Sequence, residues 1–225
     1  MKSVVLLSGG IDSTTALALA SEQGSVLAVS FDYGQKHIKE LDAAEVIAAH
    51  YNARWQHVTL PSWLFSGSAI TSGGPEVPTG TYEEVQGTKD GPISTYVPFR
   101  NGQLLSAATA LAVKNEANMV WFAAHASDAA RWAYPDCSPK FIRAISDAIH
   151  IGTDYKVSLI APFSDLEKWQ VVRIGTDKQV PYGLTWSCYK GLEVHCGVCP
   201  TCQERRSAFT KAGANDPTTY GRSTQ

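Results

Sequence analysis

The sequence has no surplus of positive charge: 19 lysines and arginines stand against 21 acidic residues, a net charge of −2. No basic field therefore advertises a stable nucleic-acid partner. No apolar run approaches the roughly 18 residues that a membrane span needs, so no membrane is expected. The opening Met1-Lys2-Ser3 leads straight into a short apolar stretch. It lacks the longer apolar region and small-residue cleavage site of a secretory leader, and a cytoplasmic location is expected. Cysteine is scarce, and four of the five fall between positions 188 and 202. An odd number crowded into one place argues for metal ligands and against a disulfide framework. Internal repeats are lacking too. No lysine follows the glycines near the N-terminus, which excludes the common phosphate loop that ends in Gly-Lys-Ser/Thr.

What is present is an alternation of strands and helices. Residues 3–7, 25–31 and 55–60 are rich in Val, Leu and aromatics and read as strands. Residues 13–23, stopped by Gly24, and 38–50 read as helices. Farther on, helices are expected over 102–114, 139–149, 165–178 with Asp165 near its N-cap, and 200–211, and strands over 119–124 and 157–161. That rhythm argues for an α/β fold with a parallel sheet. Residues 61–92 break it. Ser, Gly, Thr and Pro dominate there, and the segment reads as a flexible insertion, either a surface loop or a lid. The expected organisation is an α/β domain over 1–181, a four-cysteine subdomain over 182–212 and a polar tail over 213–225.

The first strand runs into Ser8-Gly9-Gly10-Ile11-Asp12-Ser13-Thr14-Thr15. Glycines at this turn let backbone N–H groups face an anion, and the following helix N-terminus adds partial positive charge. Ser8, Ser13 and Thr14 offer hydroxyls. Asp12 beside a phosphate makes sense if a divalent cation lies between them, or if it caps the helix. The bland reading is a tight Gly-Gly turn. The whole string is more specific: it resembles the pyrophosphatase loop of the N-type ATP pyrophosphatases, which implies ATP, magnesium and an adenylated intermediate.

Cys188, Cys196, Cys199 and Cys202 form C-x7-C-x2-C-x2-C. Four thiolates suit one structural zinc; an iron–sulfur cluster takes the same number. His195 reads as a surface residue beside the site.

Further strings stand between these features: residues 31–37 (Phe-Asp-Tyr-Gly-Gln-Lys-His), 97–101 (Val-Pro-Phe-Arg-Asn), 134–137 (Tyr-Pro-Asp-Cys) and 184–189 (Leu-Thr-Trp-Ser-Cys-Tyr). In parallel sheets such post-strand loops gather at the ligand-binding edge. With the loop and the cysteines, they resemble the 7-cyano-7-deazaguanine synthase family over nearly the whole chain. The resemblance implies a Rossmann-like sheet of the adenine nucleotide alpha hydrolase type with a small C-terminal zinc-binding subdomain. It implies an ATP-dependent ligase that turns 7-carboxy-7-deazaguanine and ammonia into the nitrile through an amide, in a homodimer with one zinc per chain. On it, residues 8–15 would bind ATP and magnesium. Tyr33, Gln35, Arg100, Asn101, Tyr134 and Asp136 would meet the substrate, with Asp12, Arg100 and Asp136 catalytic. Lys168 reads as a solvated helix lysine, or as a phosphate ligand. Cys137 reads as a packed thiol.

The chain also departs from the family pattern. Phe99 stands where a glycine is usual, and residues 130–133 and the loop from His125 to Asp128 are unusual. These departures keep a variant that stops at the amide among the alternatives. So do another amide-forming ligase, a tRNA thiolation enzyme and a non-catalytic zinc-ribbon module.

Overall fold

The computed structural model describes residues 1–85, 92–129 and 134–221. Its centre is strand β1 (Lys2–Leu6), flanked by β2 (Ser25–Asp32) and β4 (Met119–Trp121), with β3 (Arg54–Thr59) and β5 (Ser158–Ile160) outermost. All pairs are parallel and the order is β3-β2-β1-β4-β5. β1 can sit in the middle because both of its faces are apolar. Val4 and Leu6 enter one layer with Leu105, Ala108 and Ile142. Val5 and Leu7 enter the other with Leu17, Ala44 and Ile47. Helices α1 (Ile11–Ser21) and α2 (Lys39–His50) thus cover one face, and α3 (Arg100–Lys114) and α5 (Pro139–Gly152) the other. The order reverses between β1 and β4, which opens a crevice at their carboxyl ends.

The elements follow the sequence reading closely, with informative exceptions. The loop after β4 contains a short helix α4 (Ala126–Ala129) and a 3₁₀ turn at Pro135–Cys137. Asp165 is not the cap of α6 (Lys168–Asp177). Glu167 is, in a reciprocal capping box with Gln170. Residues 130–133, including Trp132, lie outside the described residues.

Of the insertion read at 61–92, residues 86–91 lie outside the described residues, and residues 61–85 are fastened to the fold at several points. Phe65, Ala69 and Ile70 are buried. The Ser72 N–H donates to the Gly34 carbonyl at 2.8 Å, and Thr71 bridges to Gln35. The Gly80 N–H donates to the Val198 carbonyl at 3.0 Å. A few apolar side chains in a polar segment suffice to fasten it.

The C-terminal helix α7 (Pro200–Ala212) packs Ala208 and Phe209 against Val172 of α6 and Ile11 and Ala18 of α1. The division expected at 181/182 therefore runs through a shared core. Arg205 is fully buried: its guanidinium donates to Thr185 Oγ1 at 2.7 Å, the Tyr182 carbonyl at 3.0 Å and Asp216 at 3.0 Å. The Tyr220 hydroxyl donates to Asp216 Oδ2 at 2.6 Å. So the segment read as a polar tail is docked as far as Gly221, whose N–H donates to the His195 carbonyl at 2.8 Å. Among the described residues, no helix is long and apolar enough to cross a membrane.

Candidate active site

The loop after β1 is shaped by Gly9. Its φ is +82°, and a Cβ there would run into the Glu40 carbonyl oxygen at the start of α2, so the loop lies flat against that helix. The Ser8 N–H donates to Ser13 Oγ at 3.2 Å and the two hydroxyls meet at 3.0 Å. The Trp186 N–H donates to the Gly9 carbonyl at 2.9 Å. Thr14 and Thr15 turn away: Thr14 Oγ1 donates to the Gly10 carbonyl at 2.6 Å, and Thr15 Oγ1 to that of Ile11 at 2.9 Å. Thr15 also meets the Tyr182 hydroxyl at 3.0 Å. The two threonines therefore secure the first turn of the helix beneath residues 8–13.

Asp12 is in the first turn of α1 and does not cap it; Gly10 holds the N-cap position. Its Oδ2 meets Lys168 Nζ at 3.0 Å and lies 3.7 Å from Nε2 of the buried His125. Burial pushes the Asp12 carboxyl up, but Lys168 and His125 outweigh it and leave the group below its usual value, hence ionised. Its Oδ1 is buried with no hydrogen-bond partner. An orphaned carboxylate oxygen beneath a phosphate loop fits a hard divalent cation. Lys168 is only 15% exposed and also pairs with Glu204 at 3.0 Å, which corrects the reading of a solvated lysine. Burial lowers its pKa, but Asp12, Glu204 and Asp128 raise it further and keep it charged.

The same cavity, about 250 Å³, extends from this loop to Tyr33, Arg100, Asn101 and Tyr134. Arg100 Nη1 donates to the Tyr33 hydroxyl at 2.8 Å. Burial lifts Tyr33 to about 12 against the opposing pull of Arg100, so it remains a phenol. Two residues missed in the sequence complete this end. The Tyr82 hydroxyl, from the insertion, lies 3.3 Å from that of Tyr134 and 3.2 Å from that of Tyr189. Cys137 lines the cavity, but burial, with Asp128 and Asp136 nearby, holds it well above the ordinary thiol range, so it stays protonated.

At the C-terminal end, the sulfurs of Cys188, Cys196, Cys199 and Cys202 all lie within 4.8 Å of one another. Tetrahedral zinc with bonds of about 2.3 Å separates its sulfurs by about 3.8 Å, and Cys196 and Cys202 are 3.9 Å apart. The donor set and spacing fit a metal ion. His195 is buried, not on the surface. Its Nε2 accepts from the Ser187 N–H at 3.0 Å. Burial and Arg205 depress it to about 4, which keeps it neutral.

Comparison with known proteins fits this geometry. The family model described as queuosine biosynthesis protein QueC matches residues 2–213. The chain belongs to that family. It is an enzyme of that family, carrying the pyrophosphatase-type loop. A 7-cyano-7-deazaguanine synthase of Thermoplasma volcanium is 41% identical, covering 98% of this chain and 91% of its own. One of Porphyromonas gingivalis is 40% identical, covering 97% and 96%. Among solved structures, a predicted subunit of tRNA methyltransferase from Methanocaldococcus jannaschii matches with a TM-score of 0.51 at 15% identity, covering 97% of this chain and 93% of its own. The U34-tRNA thiolase NcsA from Methanococcus maripaludis matches with a TM-score of 0.50 at 14% identity, over 80% and 58%. These two likenesses concern the fold alone.

Within the QueC frame, three sequence readings shift. Asp136 does not line the cavity; its Oδ2 accepts from the Asn101 N–H at 2.9 Å. It therefore holds the first turn of α3, where Arg100 stands. Gln35 is likewise a brace: its Oε1 accepts from the Tyr33 N–H at 2.9 Å and its Nε2 donates to Glu40 Oε1 at 3.3 Å. Phe99 has φ +53°, a conformation glycine adopts freely.

Proposed function

We propose that this enzyme converts 7-carboxy-7-deazaguanine and ammonia into 7-cyano-7-deazaguanine, consuming ATP through an adenylated carboxylate and an amide. The observation that carries the reading is one cavity with an anion-facing glycine loop at one end and an arginine–tyrosine pocket at the other. Backbone N–H groups of residues 8–13 and the charged Lys168 would hold the phosphates. Asp12 would hold magnesium, which neutralises phosphate charge when bound. Arg100 would take the substrate carboxylate by paired hydrogen bonds. Tyr33, Tyr82, Tyr134 and Tyr189 would offer ring surfaces and phenolic hydroxyls to the deazapurine. Asp136 and Gln35 would act by holding Arg100 and Tyr33 in place.

The carboxylate oxygen would attack the α-phosphorus and release pyrophosphate. Ammonia would displace AMP to give the amide. A second ATP would activate the amide oxygen, and its departure would leave the nitrile. Zinc would be held by Cys188, Cys196, Cys199 and Cys202 as a structural ion. The cytoplasmic homodimer implied by family membership is part of the same reading. The protonated Cys137 counts against thiolation chemistry.

The test is direct. Incubation with ATP, magnesium, ammonium and the 7-carboxy substrate should yield the nitrile and AMP, followed by mass spectrometry. Persistence of the carboxylate would sink the proposal. Amide without nitrile would identify a variant that stops half-way, and ADP in place of AMP would overturn the adenylation route.

A further inference from the structure

His37 follows the string after β2, yet neither the phosphate loop nor the arginine–tyrosine pocket accounts for it. It is 3% exposed and lines the main cavity. Its Nε2 lies 3.0 Å from Glu40 Oε2. A carboxylate accepts, so the proton of a neutral imidazole sits on Nε2 and the lone pair on Nδ1. That Nδ1 is buried and has no hydrogen-bond partner. Glu40 is itself fixed, since its Oε1 accepts from Gln35 Nε2 at 3.3 Å, and Gln35 is anchored to the Phe31 carbonyl at 3.0 Å. The ring also packs against Tyr189, at 5.4 Å between centroids, which burial keeps a neutral phenol. Gly9 packs on the backbone of Glu40, so this dyad adjoins the phosphate loop. A histidine in the cavity wall, oriented by a carboxylate through one ring nitrogen and with the other buried and unpaired, has the arrangement of a general base.

We propose that His37 is the general base that removes protons from nitrogen in the two nitrogen-dependent stages of the reaction, with Glu40 as its positioning residue. The assignment rests on the function proposed above. In the first stage the ammonia lone pair forms the carbon–nitrogen bond at the acyl adenylate. The surplus N–H proton passes to Nδ1, and the carbon–oxygen bond breaks as AMP leaves with its electron pair, giving the amide. In the second, once that first proton has passed to solvent, the amide oxygen attacks the α-phosphorus of ATP, the α–β phosphoanhydride bond breaks as pyrophosphate leaves with its electron pair, and one N–H proton passes to Nδ1 as the adenylated imidate forms. The base gives that proton up to solvent. It then takes the last N–H proton while the carbon–oxygen bond breaks, which closes the nitrile and expels AMP. Adenylation of the carboxylate itself needs no base.

The test separates these stages. Carboxylate-dependent exchange of pyrophosphate into ATP, without ammonia, reports adenylation. Conversion of supplied amide and ATP into nitrile reports the nitrogen chemistry. In His37→Asn the exchange should persist within about threefold, while nitrile formation should fall by about 10²–10⁴-fold. The persisting exchange also certifies the fold. Nitrile formed at the wild-type rate, or exchange and nitrile lost in equal proportion, would overturn the assignment. Should His37→Asn not fold, Glu40→Gln decides: slowed nitrile formation with intact exchange, recovered in Glu40→Asp, upholds the dyad, and unchanged nitrile formation refutes it. A wild-type protein with no carboxylate-dependent exchange would bring down the functional reading as well, whereas wild-type exchange with an active His37→Asn removes the base alone.

Discussion

The two ends of the cavity are built in different ways. The frame of the phosphate end is a local construction of one strand, one glycine turn and one helix start within residues 2–21, with Lys168 and Trp186 brought to it from later in the chain. The acceptor end is assembled from afar. Tyr33 follows β2, Tyr82 comes from the insertion, Arg100 opens α3, and Tyr189 follows the first cysteine ligand. Backbone donors and a helix dipole recognise any phosphate, so a short string can encode that end. Reading a particular heterocycle takes side chains from several directions, and their meeting depends on the whole fold.

The largest expected effect tests the phosphate end. Asp12→Asn should keep the fold and lower carboxylate-dependent pyrophosphate exchange by about 10²–10³-fold; exchange at the wild-type rate would show that Oδ1 holds no cation. Cys199→Ser asks whether the ends depend on the metal knuckle. Structural zinc contributes about 10–16 kcal/mol, so the variant should lose its one bound metal ion and raise the KM for ATP, because Trp186 anchors Gly9. Metal analysis and ATP titration read both effects. Arg100→Ala sharpens the division: the KM for the 7-carboxy substrate should rise by about 10–100-fold, as expected for losing a hydrogen bond to a charged group, with the KM for ATP nearly unchanged. An equal rise in both would break the comparison. Gly9→Ala, strained at φ +82° and blocked by Glu40, should cost about 1–3 kcal/mol and weaken ATP binding. Gly213→Ala has φ +67° and open space. It should lower the unfolding free energy from denaturant titration by about 1 kcal/mol and leave ATP binding alone.

The same contrast governs what the sequence disclosed. Strands and helices were legible because each carries its own apolar period, as in Val4 and Leu6 against Val5 and Leu7. The cysteine spacing was legible because three ligands share one turn of chain. Tyr82 and Glu204 were not, since nothing in their neighbours says they face a cavity. Lys168 resembles any helix lysine until Asp12 and Glu204 close around it. Asp136 was placed at the substrate because its string lies at the sheet edge, while its Oδ2 accepts from the Asn101 N–H of α3 and the helix after it is capped by Ser138, whose Oγ accepts from the Phe141 N–H at 3.2 Å. Gln35 was placed at the substrate because its string lies at the sheet edge, while its side chain turns inward to Phe31 and Glu40.

The bond from Trp186 to Gly9 bears on how the enzyme is made. During synthesis the glycine turn emerges from the ribosome well before Trp186. That anchor emerges only after all five strands of the sheet, just ahead of the four clustered cysteines and α7. A growing chain therefore presents the nucleotide-binding turn without the contact that fixes it. The glycine turn therefore gains its anchor only once the chain has passed the last strand of the sheet.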